Sequence, residues 1–177
     1  SRNGKILRMN PDGSVPQGNP FGHSRVWSLG HRNVQGLAWD RAGRLWATEF
    51  GQNRFDEVNL IRRGRNYGWP IVEGKGSTHG GRFRNPKVTW HTSEASPSGA
   101  AIRHGFLYVG ALQGERVWRI HLRGTRAGRP RSLLRGGYGR IRTVVRAPDG
   151  SLWITTSNRD SRGDPRKGDD RILRYRP

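Results

Sequence analysis

The sequence contains no cysteine. Disulfides, thiolate metal sites and cysteine nucleophiles are therefore excluded, while the redox compartment is left open. No methionine stands at the start, and the chain opens at Ser1 in a strand-like run without a signal peptide. Helical periodicity is nearly absent, and no apolar run approaches the ~18 residues that span a membrane as a helix. Lysine is scarce: of 33 basic residues only Lys5, Lys75, Lys87 and Lys167 are lysine, and the other 29 are arginine. Acidic residues number 13, which leaves a formal net charge of +20.

That charge admits a nucleic-acid partner, but none is expected. Generic phosphate binders mix lysine with arginine, and here the charge is spread evenly, with no basic block and no aromatic–basic platform in the sequence. A local reading is that a few arginines face a polyanionic small molecule, because the guanidinium fork pairs with carboxylates two bonds at a time.

The 177 residues suit one domain or about half of a large all-β domain. There are 26 Gly and 10 Pro, but they alternate with apolar runs and seven Trp, so a packed core is within reach. Asn10-Pro11-Asp12-Gly13 and Ala147-Pro148-Asp149-Gly150 are turn signals, and Asp40-Arg41-Ala42-Gly43 is a looser one. The runs between them repeat. Leu37–Asp40, a turn and Leu45–Thr48 form one hairpin; Gly99–Ile102 with Leu107–Gly110, and Thr143–Arg146 with Leu152–Thr155, are its copies. A similar third strand follows each hairpin, and a fourth copy of it, Gly4–Met9, opens the chain. A period of roughly 45 residues with four short strands per unit is a β-propeller signature. Labelling the strands of a blade A to D from the axis outward, blades start near Val34, Ser98 and Arg140, after a C strand at 4–9 and a D strand at 25–29. The last blade has no D strand. The chain thus reads as about half of a ring, all of it one domain.

B–C and D–A loops share one rim of a propeller. On that rim fall His31-Arg32-Asn33, Glu49 to Asp56, Gln113-Gly114-Glu115, Tyr138 to Arg142 and Ser157 to Asp170. The long loop Gly74 to Pro86 reads as solvated, on the opposite rim. Arg140 and Arg142 begin an innermost strand two residues apart, so alternation turns both to one face. They read either as a solvated strand end or as channel-lining charges that need an anion, with Arg32 at the equivalent position of another blade. The tight loop Gly51-Gln52, followed by Asp56, offers backbone carbonyls that suit a hard cation such as calcium, although a structural turn weighs above that reading. The aspartates of the last loop, Asp160, Asp164, Asp169 and Asp170, read either as calcium ligands or, weighing above that, as offsetting its arginines and lysine.

Gly30-His31-Arg32-Asn33-Val34-Gln35-Gly36-Leu37, Asp56-Glu57-Val58-Asn59, Gly64-Arg65-Asn66-Tyr67-Gly68-Trp69-Pro70 and Gly139-Arg140-Ile141-Arg142 together resemble the soluble quinoprotein glucose/sorbosone (aldose sugar) dehydrogenases. The resemblance runs through the chain in order and corresponds to the C-terminal half of that domain. It implies a six-bladed propeller that uses pyrroloquinoline quinone (PQQ) and calcium to oxidise aldose sugars to lactones. An external electron acceptor and an extracellular or periplasmic location come with it. By resemblance, Arg32, Asn33, Arg140 and Arg142 contact PQQ, and Gln113 stands where the glucose branch has a cofactor-contacting lysine. Gly51 and Gln52 hold calcium through main-chain carbonyls, with Asp56 supporting the loop. The family's general-base histidine has no counterpart in the chain. The alternative is a non-catalytic propeller that binds a protein or an anionic polymer.

Overall fold

Short alternating runs punctuated by glycine turns leave strands as the regular structure. The computed structural model describes all 177 residues, with fourteen strands and no helix. The turns close by the expected chemistry: Asp40 Oδ1 accepts from the N–H groups of Ala42 and Arg44, both at 3.0 Å, and Asp149 Oδ1 accepts from Ser151 N at 2.9 Å.

The strands form four antiparallel sheets. The first pairs β1 (Lys5–Leu7) with β2 (Val26–Leu29). The second runs β3 (Val34–Trp39), β4 (Leu45–Glu49), β5 (Phe55–Ile61), β6 (Val88–His91), each hydrogen-bonded to the next. The third runs β7 (Pro97–Arg103), β8 (Phe106–Ala111), β9 (Arg116–Arg123), and its outer position is shared by β10 (Arg126–Ala127) and β11 (Arg131–Leu133), both paired with β9. The fourth runs β12 (Ile141–Arg146), β13 (Leu152–Thr156), β14 (Ile172–Tyr175).

Strands β3, β7 and β12 lie side by side and are the inner strands. Glycine permits that approach: a Cβ on Gly36 would sit 2.5 Å from Ser98 O, and one on Gly99 would sit 2.8 Å from the Thr143 Cα. Each inner strand carries a register shift near its start, at Val34/Gly36, Pro97/Ala100 and Ile141/Thr143. Such bulges bend a strand and re-aim its first side chains. Apolar clusters fill the gaps between successive sheets. Trp46, Val58, Trp90, Leu107 and Ile120 join the second sheet to the third. Tyr108, Val117, Ile141, Leu152 and Ile154 join the third to the fourth. Ile6, Ala47, Ile61 and Tyr67 join the first to the second. The architecture is all-β and propeller-like, with radial sheets packed face to face.

The loop after β5 departs from expectation in its course. Residues 75–77, 79–82 and 84–85 are exposed, as expected of a solvated loop, but its start does not keep to the far rim. Phe83 is buried within it, and Gly74 N donates to Glu57 Oε1 at 2.7 Å, next to the loop between β4 and β5. The cause is a burial gain that its Gly and Arg content conceals: Phe83 and Pro86 need cover, and Glu57 needs a donor.

Candidate functional site

Two clusters occupy the rim formed by the loops after β2, β4, β8, β11 and β13. The first surrounds the loop between β4 and β5. Asp56 is 1% exposed, and both its carboxylate oxygens are engaged: Oδ1 accepts from Gly51 N at 3.0 Å and Oδ2 from Ser96 N at 2.7 Å. Burial raises its pKa. Glu73 supports the loop from below, where its Oε1 accepts four successive N–H groups, Gln52, Asn53, Arg54 and Phe55, at 2.8 to 3.1 Å. Partial burial pushes Glu73 up, but these four donors outweigh it and hold its pKa below the ordinary value. Gly51 has no room for a side chain, since a Cβ would meet Phe55 O at 2.1 Å. No protein N–H reaches the carbonyl oxygen of Gly51 or Gln52.

Arg32 leans over this loop. Its Nε donates to Gln52 Oε1 at 2.7 Å, another guanidinium nitrogen donates to Phe50 O at 3.3 Å, and the charge sits 5.9 Å from the Trp69 ring centre. Asn33 Oδ1 accepts from Gln35 Nε2 at 2.7 Å. His31, the neighbour of Arg32, does not face the rim. It is 1% exposed, bonded to Ser28 Oγ and Glu49 Oε2, both at 2.9 Å, and stacked on Tyr67. Glu49 also accepts from Arg32 N, so the buried histidine and carboxylate fix the backbone from which Arg32 projects. Gln113 is exposed on the loop between β8 and β9.

The second cluster joins β12 to the loop after β13. Arg140 and Arg142 converge on one carboxylate: Asp160 Oδ2 accepts from both at 3.0 to 3.2 Å and from Ser157 Oγ at 3.1 Å. The sequence leaves the pair in want of an anion, and Asp160 supplies one negative charge to two positive ones. The cluster keeps one net positive charge. Arg140 is the more embedded, its side chain 8% exposed against 39% for Arg142. Asn158, buried, fixes the loop by accepting from Arg140 N at 2.8 Å and donating to Tyr138 O at 2.9 Å. Asp169 pairs with Arg171 at 3.2 Å and accepts from Arg166 N, so loop aspartates serve arginines inside and outside the loop.

Sequence reasoning did not anticipate Glu73 or Trp69 as parts of this rim. The available signal was β5 itself, where Asp56-Glu57-Val58-Asn59 places polar residues on both faces of a buried strand. Glu57 is held by Gly74 N and by Asn59 Nδ2 at 2.8 Å, yet burial pushes its pKa up to about 7. The folded state thus keeps a proton that the unfolded chain loses near pH 4.5. Its contribution to stability is full below that value, declines as pH rises, and is lost above about 7. The melting temperature should fall between pH 5 and pH 8, and Glu57→Gln should flatten that slope. An unchanged slope in the variant would remove Glu57 as the cause.

The Glucose / Sorbosone dehydrogenase family matches residues 1–167. An aldose sugar dehydrogenase from Escherichia coli K12 is 32% identical across 86% of the chain and 48% of its own length. Among solved structures, the PQQ-bound form of an aldose sugar dehydrogenase from Streptomyces coelicolor superposes with a TM-score of 0.92 at 56% identity, covering 97% of the chain and 51% of that protein. A putative oxidoreductase (glucose dehydrogenase) from Thermus thermophilus superposes with a TM-score of 0.88 at 46% identity, covering 97% of the chain and 54% of that protein. The chain spans about half the length of these relatives and about half of the propeller ring. With its family match running from the first residue to the last loop and its fold superposing on theirs, the chain belongs to the glucose/sorbosone dehydrogenase family.

Proposed function

We propose that this chain forms part of a PQQ- and calcium-dependent enzyme that oxidises aldose sugars to lactones by hydride transfer to the quinone. The observation that carries this reading is the likeness to the PQQ-bound aldose sugar dehydrogenase, combined with arginines gathered on one rim. The residues present fit both groups. The carbonyl oxygens of Gly51 and Gln52 have no protein donor, and oxygen ligands of that kind suit calcium. The Arg140–Arg142–Asp160 cluster remains net cationic, which suits a tricarboxylate. When bound, PQQ accepts the hydride and calcium polarises the quinone as a Lewis acid.

The chain's own residues hold and orient. Gly51 and Gln52 present carbonyls from a loop fixed by Asp56 and Glu73. Arg32 and Asn33, ahead of β3, and Arg140 and Arg142, at the start of β12, would contact the cofactor, with Gln113 on the loop between β8 and β9. The base that takes the sugar's hydroxyl proton is the family's histidine, which has no counterpart here. The acceptor of the electrons is external, and an extracellular or periplasmic location fits that acceptor.

The test is a PQQ titration followed by fluorescence, with calcium saturating and again with chelator. Binding that requires calcium supports the reading; binding indifferent to the chelator, or none in either arm, overturns it. With a dye acceptor added, the 177 residues by themselves should oxidise glucose only at background rate. Clear turnover would place the base within this chain.

A further inference from the structure

The arginines form one patch that the proposed chemistry does not use. Alternation along β9 puts Arg119, His121 and Arg123 on one face. The return through β10 and β11 adds Arg126, Arg129 and Arg131 around the same groove, which encloses about 570 Å³ and has no Asp or Glu in its lining. Arg123, Arg126, Arg129 and Arg131 are exposed. None of the five arginines makes an ion pair, in contrast to Arg44, Arg140, Arg142, Arg171 and Arg174. The buried Nε of Arg119 has no acceptor.

The register makes this arrangement costly. Arg119 stands directly opposite Arg131, and Arg123 directly opposite Arg126. Like charges in facing positions destabilise a sheet. Phe106 supplies the floor: the Arg119 charge lies 4.9 Å from its ring centre, and His121 stacks on it at 4.8 Å. The ring seats Arg119 without neutralising it. This is the aromatic–basic platform that the linear sequence conceals, because Phe106 and the arginines meet only across three strands. The groove lies on the outer edge of the third sheet, and Arg123 ends β9 at the end opposite the loop that carries Gln113.

We infer that this groove binds a small oligoanion carrying at least two phosphate or sulfate groups. Two facing pairs of guanidinium forks present several donors to neighbouring oxyanion groups, and a lone phosphate engages only part of them. The groove's size is that of a small-molecule site, so the ligand is compact. A bound oligoanion also relieves the two like-charge pairs and therefore stabilises the fold.

Inorganic tripolyphosphate and a sulfated disaccharide are the probes, with orthophosphate and inorganic sulfate as single-group references, each titrated at two salt concentrations. Tripolyphosphate or the sulfated disaccharide should bind roughly 10-fold or more tighter than its single-group reference, and weaken with salt. Which of the two binds tighter identifies a phosphate or a sulfate source. Arg129→Glu/Arg131→Glu should lower that affinity roughly 10-fold or more. It should also raise the melting temperature of the free protein, since a glutamate then faces Arg119. Arg2→Glu/Arg41→Glu makes the same change in net charge at exposed positions elsewhere and should leave affinity unchanged. An equal loss in that control, or multi-group probes that bind no tighter than single groups, would reduce the effect to bulk charge and overturn the inference. PQQ binding should be untouched by the groove variant, so this result and the proposed function fail independently.

Discussion

Replacing Arg142 with alanine should weaken PQQ binding by about 10- to 150-fold, which corresponds to roughly 1.5–3 kcal/mol for a lost charge-assisted hydrogen bond. The fold should lose little. Arg142 is a 39% exposed side chain, and without it Asp160 still accepts from Arg140, from Ser157 Oγ and from Arg162 N. Arg140 is a poorer probe, because its side chain is 8% exposed, and its loss opens a buried space and removes the two side-chain donors it gives Asp160. Arg140→Ala should therefore lower both affinity and melting temperature. Arg142→Lys should restore binding only in part, since an ammonium lacks the fork that reaches two oxygens at once. The measurement is a cofactor titration at saturating calcium beside a melting curve on the free protein. Unchanged affinity together with a large drop in melting temperature for Arg142→Ala would make the pair structural.

Trp46→Ala should cost about 3–5 kcal/mol of folding stability, a large share of the roughly 5–15 kcal/mol that domains possess. Trp46 is 0% exposed on β4 and sits in the cluster that joins the second sheet to the third. Truncation opens a cavity there and also leaves Asp40 Oδ2 without the indole N–H that donates to it at 3.1 Å. Trp46→Phe should retain most of the burial and lose the hydrogen bond, so it should fall between alanine and the parent. Urea unfolding measures both. A loss below about 1 kcal/mol for the alanine variant would show that the two sheets hold together without this side chain. Because the loop that presents Gly51 continues β4, cofactor binding should weaken in parallel in the alanine variant.

The repeat is legible because each sheet is built from local pieces. Leu45-Trp46 and Leu152-Trp153 follow aspartate–glycine turns, and those turns close by contacts within a few residues. The three inner strands run at Val34–Trp39, Pro97–Arg103 and Ile141–Arg146, each the first strand of a hairpin closed by a local turn. The rim is legible in part. Arg32, Gly51, Gln52 and Asp56 come together, as do Arg140 and Arg142, but Asp160 as their shared partner depends on how a long loop folds back. Glu73 is hidden for the same reason. It reaches four N–H groups some twenty residues earlier, and nothing local to Val72-Glu73-Gly74 marks it. The long loop reads correctly as largely solvated but its anchor is hidden, because composition reports solvent preference and is silent on Phe83, which finds cover only in the assembled sheet.

By itself the sequence determined the strands, their turns, their repetition and the family's motif residues. These depend on alternation, on glycine at turns and on residue identity, all of which act over a few positions. Only the tertiary structure decided which charges are neutralised. Thirteen acids meet thirty-three bases here, and a linear count gives their sum without their pairing. Pairing follows from which strands face each other and how far loops fold back. Arg140 and Arg142 thereby gain Asp160, while Arg119 and Arg123 face arginines across the sheet. Electrostatic energy falls steeply with distance and exposure, so that spatial arrangement, rather than the net +20, sets where an anion binds.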